Sequence, residues 1–316
     1  MCPKTETTAE EAEMSRNRTS ALLLAAAAAT ATLMAAAPSR AAPGCQLVIE
    51  SGADQWMMRY EPFDQDVAVQ EFDVAVVNQG DGPCTAVSRV ELRGEQFGLV
   101  NEAGAQRMAY ALVDERGGAD VTPRAGQSAR RIGVRPLNLA AGERGLMRFS
   151  FTAAPAETLS AGLYSQNAFI NLETPDGRPL AEKPVTLSLQ VPSAAVMGLK
   201  GEFRRNGGTP TIDLGELTQG VRQLRTTLYV LSTAGYSVSV ASQNQGRLRQ
   251  GASEWYVPYG LVLGDRDMDL SRGGRVDVVS RRARLDDYPL TISVGSTTGK
   301  RAGDYSDILT FTVAAL

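Results

Sequence analysis

The residues best placed to do chemistry are Asp265, Asp267 and Asp269, whose carboxylates alternate like the first ligands of a calcium loop. Such a loop needs glycine at its sixth position and a bidentate glutamate at its twelfth, and this chain has Leu270 and Val276 there. A hairpin loop is therefore expected, without calcium. Asp286-Asp287, next to Tyr288-Pro289, reads as a turn. Gly207-Gly208 and Gly273-Gly274 are turns too, because neither is followed by the Lys-Ser or Lys-Thr of a phosphate loop. The sequence contains no histidine, which removes Ser-His and Cys-His nucleophiles and imidazole metal ligands. The expectation is a protein that is not an enzyme, with no catalytic, cofactor-binding or metal residues.

The chemistry that remains is that of cysteine. Arg16 and Arg18, the apolar run from Ala21 to Ala37 and Ser39-Arg40-Ala41 form a basic, apolar and small-x-small sequence, as in a secretory signal peptide. Residues 1–41 are read as this signal, with Met14 as the true start, because the acidic stretch ahead of it is foreign to such segments. The apolar run is near the lower limit for a membrane span, but its alanine content and processing site favour cleavage. Cys2 is then lost. Cys45 and Cys84 are left as an even pair in an oxidising compartment, which reads as a disulfide, with two free thiols as the alternative. Ala42-Pro43-Gly44 lacks the large aliphatic residue of a lipobox, so Cys45 is not read as a lipidation site.

These residues must be positioned by strands. Phe72–Val76, Leu146–Phe151, Ala168–Leu172, Val185–Val191, Leu228–Leu231, Tyr236–Val240 and Leu309–Val313 are short apolar or alternating runs between turn signals such as Asn78-Gln79-Gly80-Asp81-Gly82-Pro83. An all-β sandwich or barrel follows. Length suggests about two domains, and the halves repeat. Ala161-Gly162-Leu163-Tyr164-Ser165 aligns with Ala302-Gly303-Asp304-Tyr305-Ser306, and Met108-Ala109-Tyr110 with Val257-Pro258-Tyr259. The strand pair within 72–92 aligns with that within 224–240. Domains are placed at 42–192 and 199–316, joined by a linker at 193–198. After Tyr164 the first half continues into the alternating strand Val185–Val191, whereas the second half, as given, stops soon after Tyr305. The second domain is thus expected to lack its last strand. Its unpaired edge would be an aggregation hazard, or a socket for a strand from another chain.

Thr211-Ile212-Asp213-Leu214-Gly215-Glu216-Leu217, Gly235–Val240, Val257–Leu261 and Ala302–Asp307 resemble the spore coat protein U-like domain, a family that includes subunits of archaic chaperone–usher pili. Met58–Phe63, Tyr110, the cysteine pair and Ala161–Ser165 carry the resemblance into the first half. The resemblance implies two tandem immunoglobulin-like, pilin-like β-sandwich domains, the second completed by donor-strand exchange. A periplasmic chaperone would supply that strand first and a neighbouring pilus subunit later, with assembly at an outer-membrane usher. Two domains, with Cys45 too close to the cleavage site to leave room for a donor strand, resemble a tip subunit. The second domain departs from the family in having no cysteine.

Leu309, Phe311 and Val313 share the more apolar face of the final strand and are expected to line the donor-strand groove. Ile308, Thr310 and Thr312 take the other face, and Ile212 and Leu214 are placed on the opposite wall. Simple core packing is the competing role for each. Trp56, Met57, Tyr60 and Phe63 form a candidate adhesive surface, against the alternative of a strand whose alternate residues enter the core; Trp255 and Tyr256 pose the same choice. No nucleic-acid partner is expected: the net charge is -3, and Arg124, Arg130, Arg131 and Arg135 lack interleaved aromatics. The expected route is Sec export to the periplasm and then the cell surface, where a surface or glycan would be the target. The alternative is a self-contained secreted or periplasmic β-sandwich that binds the envelope and assembles nothing.

Overall fold

The computed structural model describes residues 44–316 apart from 53, 65, 103–105, 125–134 and 156. The expectations placed on Cys2, Met14, the signal segment, Arg130 and Arg131 lie outside these residues. The N-terminal half begins with β1 (Leu47–Ile49), β2 (Gln55–Arg59), β3 (Ala68–Asn78), β4 (Cys84–Glu91), β5 (Leu99–Asn101) and β6 (Arg107–Met108). It continues with β7 (Tyr110–Asp114), β8 (Ala119–Asp120), β9 (Leu137–Leu139), β10 (Arg144–Ala153), β11 (Gly162–Glu173) and β12 (Pro179–Val191). The C-terminal half holds β13 (Ala195–Gly201), β14 (Arg204–Asn206), β15 (Thr209–Thr211), β16 (Gly220–Ser232), β17 (Tyr236–Ser242) and β18 (Arg247–Arg249). It closes with β19 (Tyr256–Leu263), β20 (Arg266–Met268), β21 (Gly274–Val278), β22 (Arg284–Val294) and β23 (Leu309–Ala315).

The fold is all-β, two tandem sandwiches, each with its own core. In the N-terminal sandwich one sheet runs β1-β3-β10-β7-β8 and the other β2-β12-β11-β4-β9. In the C-terminal one the sheets run β13-β16-β22-β19-β18 and β21-β17-β23. The first core cluster draws only on residues before Pro192 and the second only on residues after Ala194. Alternation decides which side chains enter. Along β2 and at the residue after it, Trp56, Met58 and Tyr60 are buried, and Trp56 stacks on Phe72 with ring centroids 4.9 Å apart. Trp56 and Tyr60 are therefore core residues, and the structure removes them from the candidate adhesive surface.

The repeat inferred from sequence is visible atom by atom. Tyr164 Oη donates to the carbonyl of Ser160 (3.0 Å), and Tyr305 Oη to that of Arg301 (2.7 Å), each four residues back. Gly162 and Gly303 precede these corners at φ 141° and 145°, a backbone that side chains disfavour. Tyr110 Oη donates to Gln166 (2.9 Å), and Tyr259 Oη to Asp307 (2.6 Å), the aligned pairs. The expected linker is corrected: β12 runs to Val191 and β13 starts at Ala195, so most of 193–198 is strand. Gly264 and Asp265 form the tight turn between β19 and β20, which places Asp265–Asp269 on a hairpin.

Cys45, just ahead of β1, is bonded to Cys84 at the start of β4, closing a loop of sequence separation 39. A loop of that length contributes about 2–4 kcal/mol. The double variant Cys45→Ala, Cys84→Ala should lose that amount from the urea unfolding of the N-terminal sandwich, read by the fluorescence of Trp56. A loss under about 0.5 kcal/mol would show that the bond does not constrain this domain.

Candidate functional site

The two sandwiches differ in how their matching strands β11 and β23 are flanked. In the N-terminal one, β11 is flanked on one side by β4 and β5 and on the other by β12 along its whole length. Its counterpart β23 pairs with β17 alone, in register from Leu309↔Ser242 to Ala315↔Tyr236. Among the described residues no strand pairs with its other edge. Gln243 N–H donates to Ile308 O and Leu316 N–H to Gly235 O (2.9 Å each), so even-numbered residues of this strand face β17. By strand alternation the N–H and C=O of Leu309, Phe311 and Val313 face the open edge.

The same three residues carry the apolar face, as the alternation predicts. They are half-buried against the C-terminal core together with Ile212 and Leu214, while Thr310 and Thr312 are exposed and Ile308 is 58% exposed. Their N-terminal counterparts Ala168, Ile170 and Leu172 are all 0% exposed. What covers those is β12, whose Val185, Leu187, Leu189 and Val191 are themselves buried. Ile212 and Leu214 lie in the irregular stretch between β15 and β16, the sequence position that β2 holds in the first half. The guanidinium of Arg222 ties this stretch down by donating to the carbonyls of Leu214 and Glu216. The site is thus an apolar groove with an unpaired backbone edge; it can hold an extended chain by main-chain hydrogen bonds and alternate side chains.

One residue holding the groove in shape was not anticipated. Asp307 stands at the head of β23 and gathers four donors. Ser242 Oγ (2.5 Å) and Tyr259 Oη (2.6 Å) donate to one oxygen, and the N–H groups of Asn244 (3.0 Å) and Ile308 (2.8 Å) to the other. Burial, then the Asp307 carboxylate, push the Tyr259 hydroxyl above its ordinary range, so it stays a donor. Of the candidate adhesive residues, Met57 is 46% exposed and Phe63 is half-buried. Arg124 pairs with Asp120 (3.3 Å).

Removing this anchor should loosen β23 alone. Tyr259→Phe and Asp307→Ala are each expected to cost the C-terminal sandwich about 1.5–3 kcal/mol, the range for hydrogen bonds to a charged group. Amide exchange of Leu309–Val313 should accelerate while that of β11 stays unchanged; equal protection in variant and parent would sink the assignment.

Neither a scan against protein families nor a search of curated proteins finds a match to this chain. Among solved structures it is similar to the CsuC-CsuE chaperone-tip adhesion subunit pre-assembly complex of archaic chaperone-usher Csu pili from Acinetobacter baumannii. That match has 11% identity and TM-score 0.45, over 85% of this chain and 99% of that one. It is also similar to the CupB6 tip adhesin of Pseudomonas aeruginosa, at 10% identity and TM-score 0.34, over 86% and 95%. A third similarity is to a chaperone-tip adhesin complex of CFA/I fimbriae biogenesis, at 8% identity and TM-score 0.36, over 84% and 97%.

Proposed function

We propose that this chain is an exported structural and adhesive subunit of a chaperone–usher type pilus, at the fibre tip, and that its C-terminal sandwich is completed by a strand from another chain. The observation that carries the reading is the difference between β11 and β23: the same strand, in the same fold, has a partner on each side in one copy and on one side in the other. The spore coat protein U-like resemblance in the sequence supports the same assembly. It supplies the partners: a periplasmic chaperone in transit, an outer-membrane usher, and a neighbouring subunit in the fibre. The internal occupancy of the first groove, in a chain of two sandwiches, supports the tip position. With β12 already beside β11, the chain has one acceptor groove to offer, as an end subunit does.

The structure suggests how to test this with the chain's own strand. The full mature chain is extended after Leu316 by a turn and a copy of residues 183–191, which carries the alternation of Val185, Leu187, Leu189 and Val191. The unextended protein should aggregate alone and co-purify with the chaperone. The extended one should be monomeric, should release the chaperone, and should gain about 1.5–3 kcal/mol for each apolar side chain fully seated. If the unextended chain is already a monomer with a protease-resistant C-terminal domain, and the extension changes nothing, the self-contained envelope-binding reading replaces this one.

A further inference from the structure

The joint between the two sandwiches rests on few groups. Pro192, Ser193 and Ala194 are the three residues between β12 and β13. Thr233, fully buried in the turn between β16 and β17, ties them down. Its hydroxyl donates to Pro192 O (2.8 Å) and accepts from Ala194 N–H (2.9 Å). Its N–H donates to Ala194 O (3.0 Å), and its carbonyl accepts the N–H of Ala161 (2.8 Å). Ser160 Oγ accepts the N–H of Ala283 (3.0 Å). Ser160 and Ala161 are the corner beneath Tyr164, so the corner end of the first sandwich abuts the β16–β17 turn of the second. The connectivity is that of a donor strand and the domain it belongs to: β12 fills the place beside β11, and the chain passes directly into the first strand of the next sandwich.

The second sandwich carries the same corner at Arg301-Ala302, and there it is exposed, whereas Ser160 is 5% exposed. The neighbouring turn belongs to the same surface, since Gln250 Nε2 donates to Ala302 O (2.8 Å) and Gln250 N–H to Trp255 O (3.1 Å). Trp255 and Tyr256 stand out from it at 41% and 38% exposure, and the ammonium of Lys300 lies 4.7 Å from the Tyr256 ring centre. In the repeat they occupy the positions of Gln106 and Arg107, and Gln106 Oε1 accepts from the corner N–H of Ser160 (3.0 Å). A tryptophan and a tyrosine standing in solvent beside cations have the composition of an interface centre.

From this repetition we infer that Trp255, Tyr256, Lys300, Arg301 and Ala302 form an end-on docking surface for the next subunit. That partner is a β-sandwich whose own donor strand fills the groove and runs into its first strand through a joint as short as Pro192–Ala194. The turn that corresponds to Ser232–Gly235 in that subunit sits on the Arg301-Ala302 corner, as Thr233 sits on Ser160-Ala161. The inference rests on the strand-complementation reading above and adds to it a second surface, which fixes the angle between subunits.

The test is site-specific photocrosslinking in cells that display the fibre. The full chain carries p-benzoylphenylalanine at one position at a time, either in the groove (Phe311, with Leu309 as the second site) or at the end surface (Trp255, with Arg301 as the second site). The end positions are exposed, so folding is not at stake there. Groove probes should capture an extended segment of a neighbouring subunit. End probes should capture the same polypeptide, mapped by mass spectrometry to the joint that follows that segment or to the turn corresponding to Ser232–Gly235. Groove crosslinks without end crosslinks, or end crosslinks that map elsewhere, overturn the docking surface and leave strand complementation standing. Loss of crosslinks at all four positions overturns both.

Discussion

The pairing state of one strand governs the C-terminal half of this molecule. A β-strand presents N–H and C=O groups on both edges, and a strand inside a sandwich meets its needs on both. Among the described residues, β23 meets them on the β17 side only. In isolation an open edge costs little, because water satisfies it. Here the edge coincides with an apolar face that is only half covered, since Leu309, Phe311 and Val313 lie behind it. Water can satisfy the backbone but not these side chains. An extended chain with alternating apolar residues, the pattern that β12 supplies to β11 in the other half, would meet both needs together.

The duplicated parts show how a strand paired on one edge is kept in place. Gln166 and Asp307 occupy the same position and receive the same kind of tyrosine hydroxyl. In the closed domain the amide both accepts, from Tyr110 and Gly98, and donates, to Gln96 O. In the open domain a carboxylate takes over, an acceptor for four donors from three segments of chain. Charge-assisted bonds of this kind are stronger than neutral ones. They hold the head of β23 in register where packing from one flank is missing.

Much of this was legible in the sequence, and what was not has a physical explanation. The strands with period-two alternation or turn-bounded apolar runs stand out, and so did the repeat, because a positive-φ glycine and a corner tyrosine are local requirements that recur as local motifs. Leu309, Phe311 and Val313 were legible as one face for the same reason. Trp56 and Tyr60 could be read either way, since alternation says that they share a face without saying which face is wet. β13 was missed because Ala195-Val196-Met197-Gly198-Leu199 has no alternation and most of it fell within 193–198, which read as a linker. Asp307 stood out only as the end of the Ala302–Asp307 motif, and its role was hidden: its partners Ser242 and Tyr259 lie 65 and 48 residues away, and only the closed sheet brings them to it.

The covalent and non-covalent versions of one contact differ in thermodynamics even where their geometry agrees. β12 is tethered to its groove by its own chain, so it seats at a high effective concentration and loses little freedom of association. A strand supplied by another molecule must offset the translational and rotational freedom lost in binding before its side-chain burial counts. In the proposed assembly a groove alone would satisfy the edge, yet it would leave an incoming subunit free to swivel on its strand. A second contact at the domain end, of the kind Thr233 makes with Ala161 and the Pro192–Ala194 joint, removes that freedom. It also shares the association cost between two surfaces. The exposed Trp255 and Tyr256 lie at the end of the sandwich where such a contact would fall, so under the proposed assembly the internal joint of this chain is the pattern for the external one.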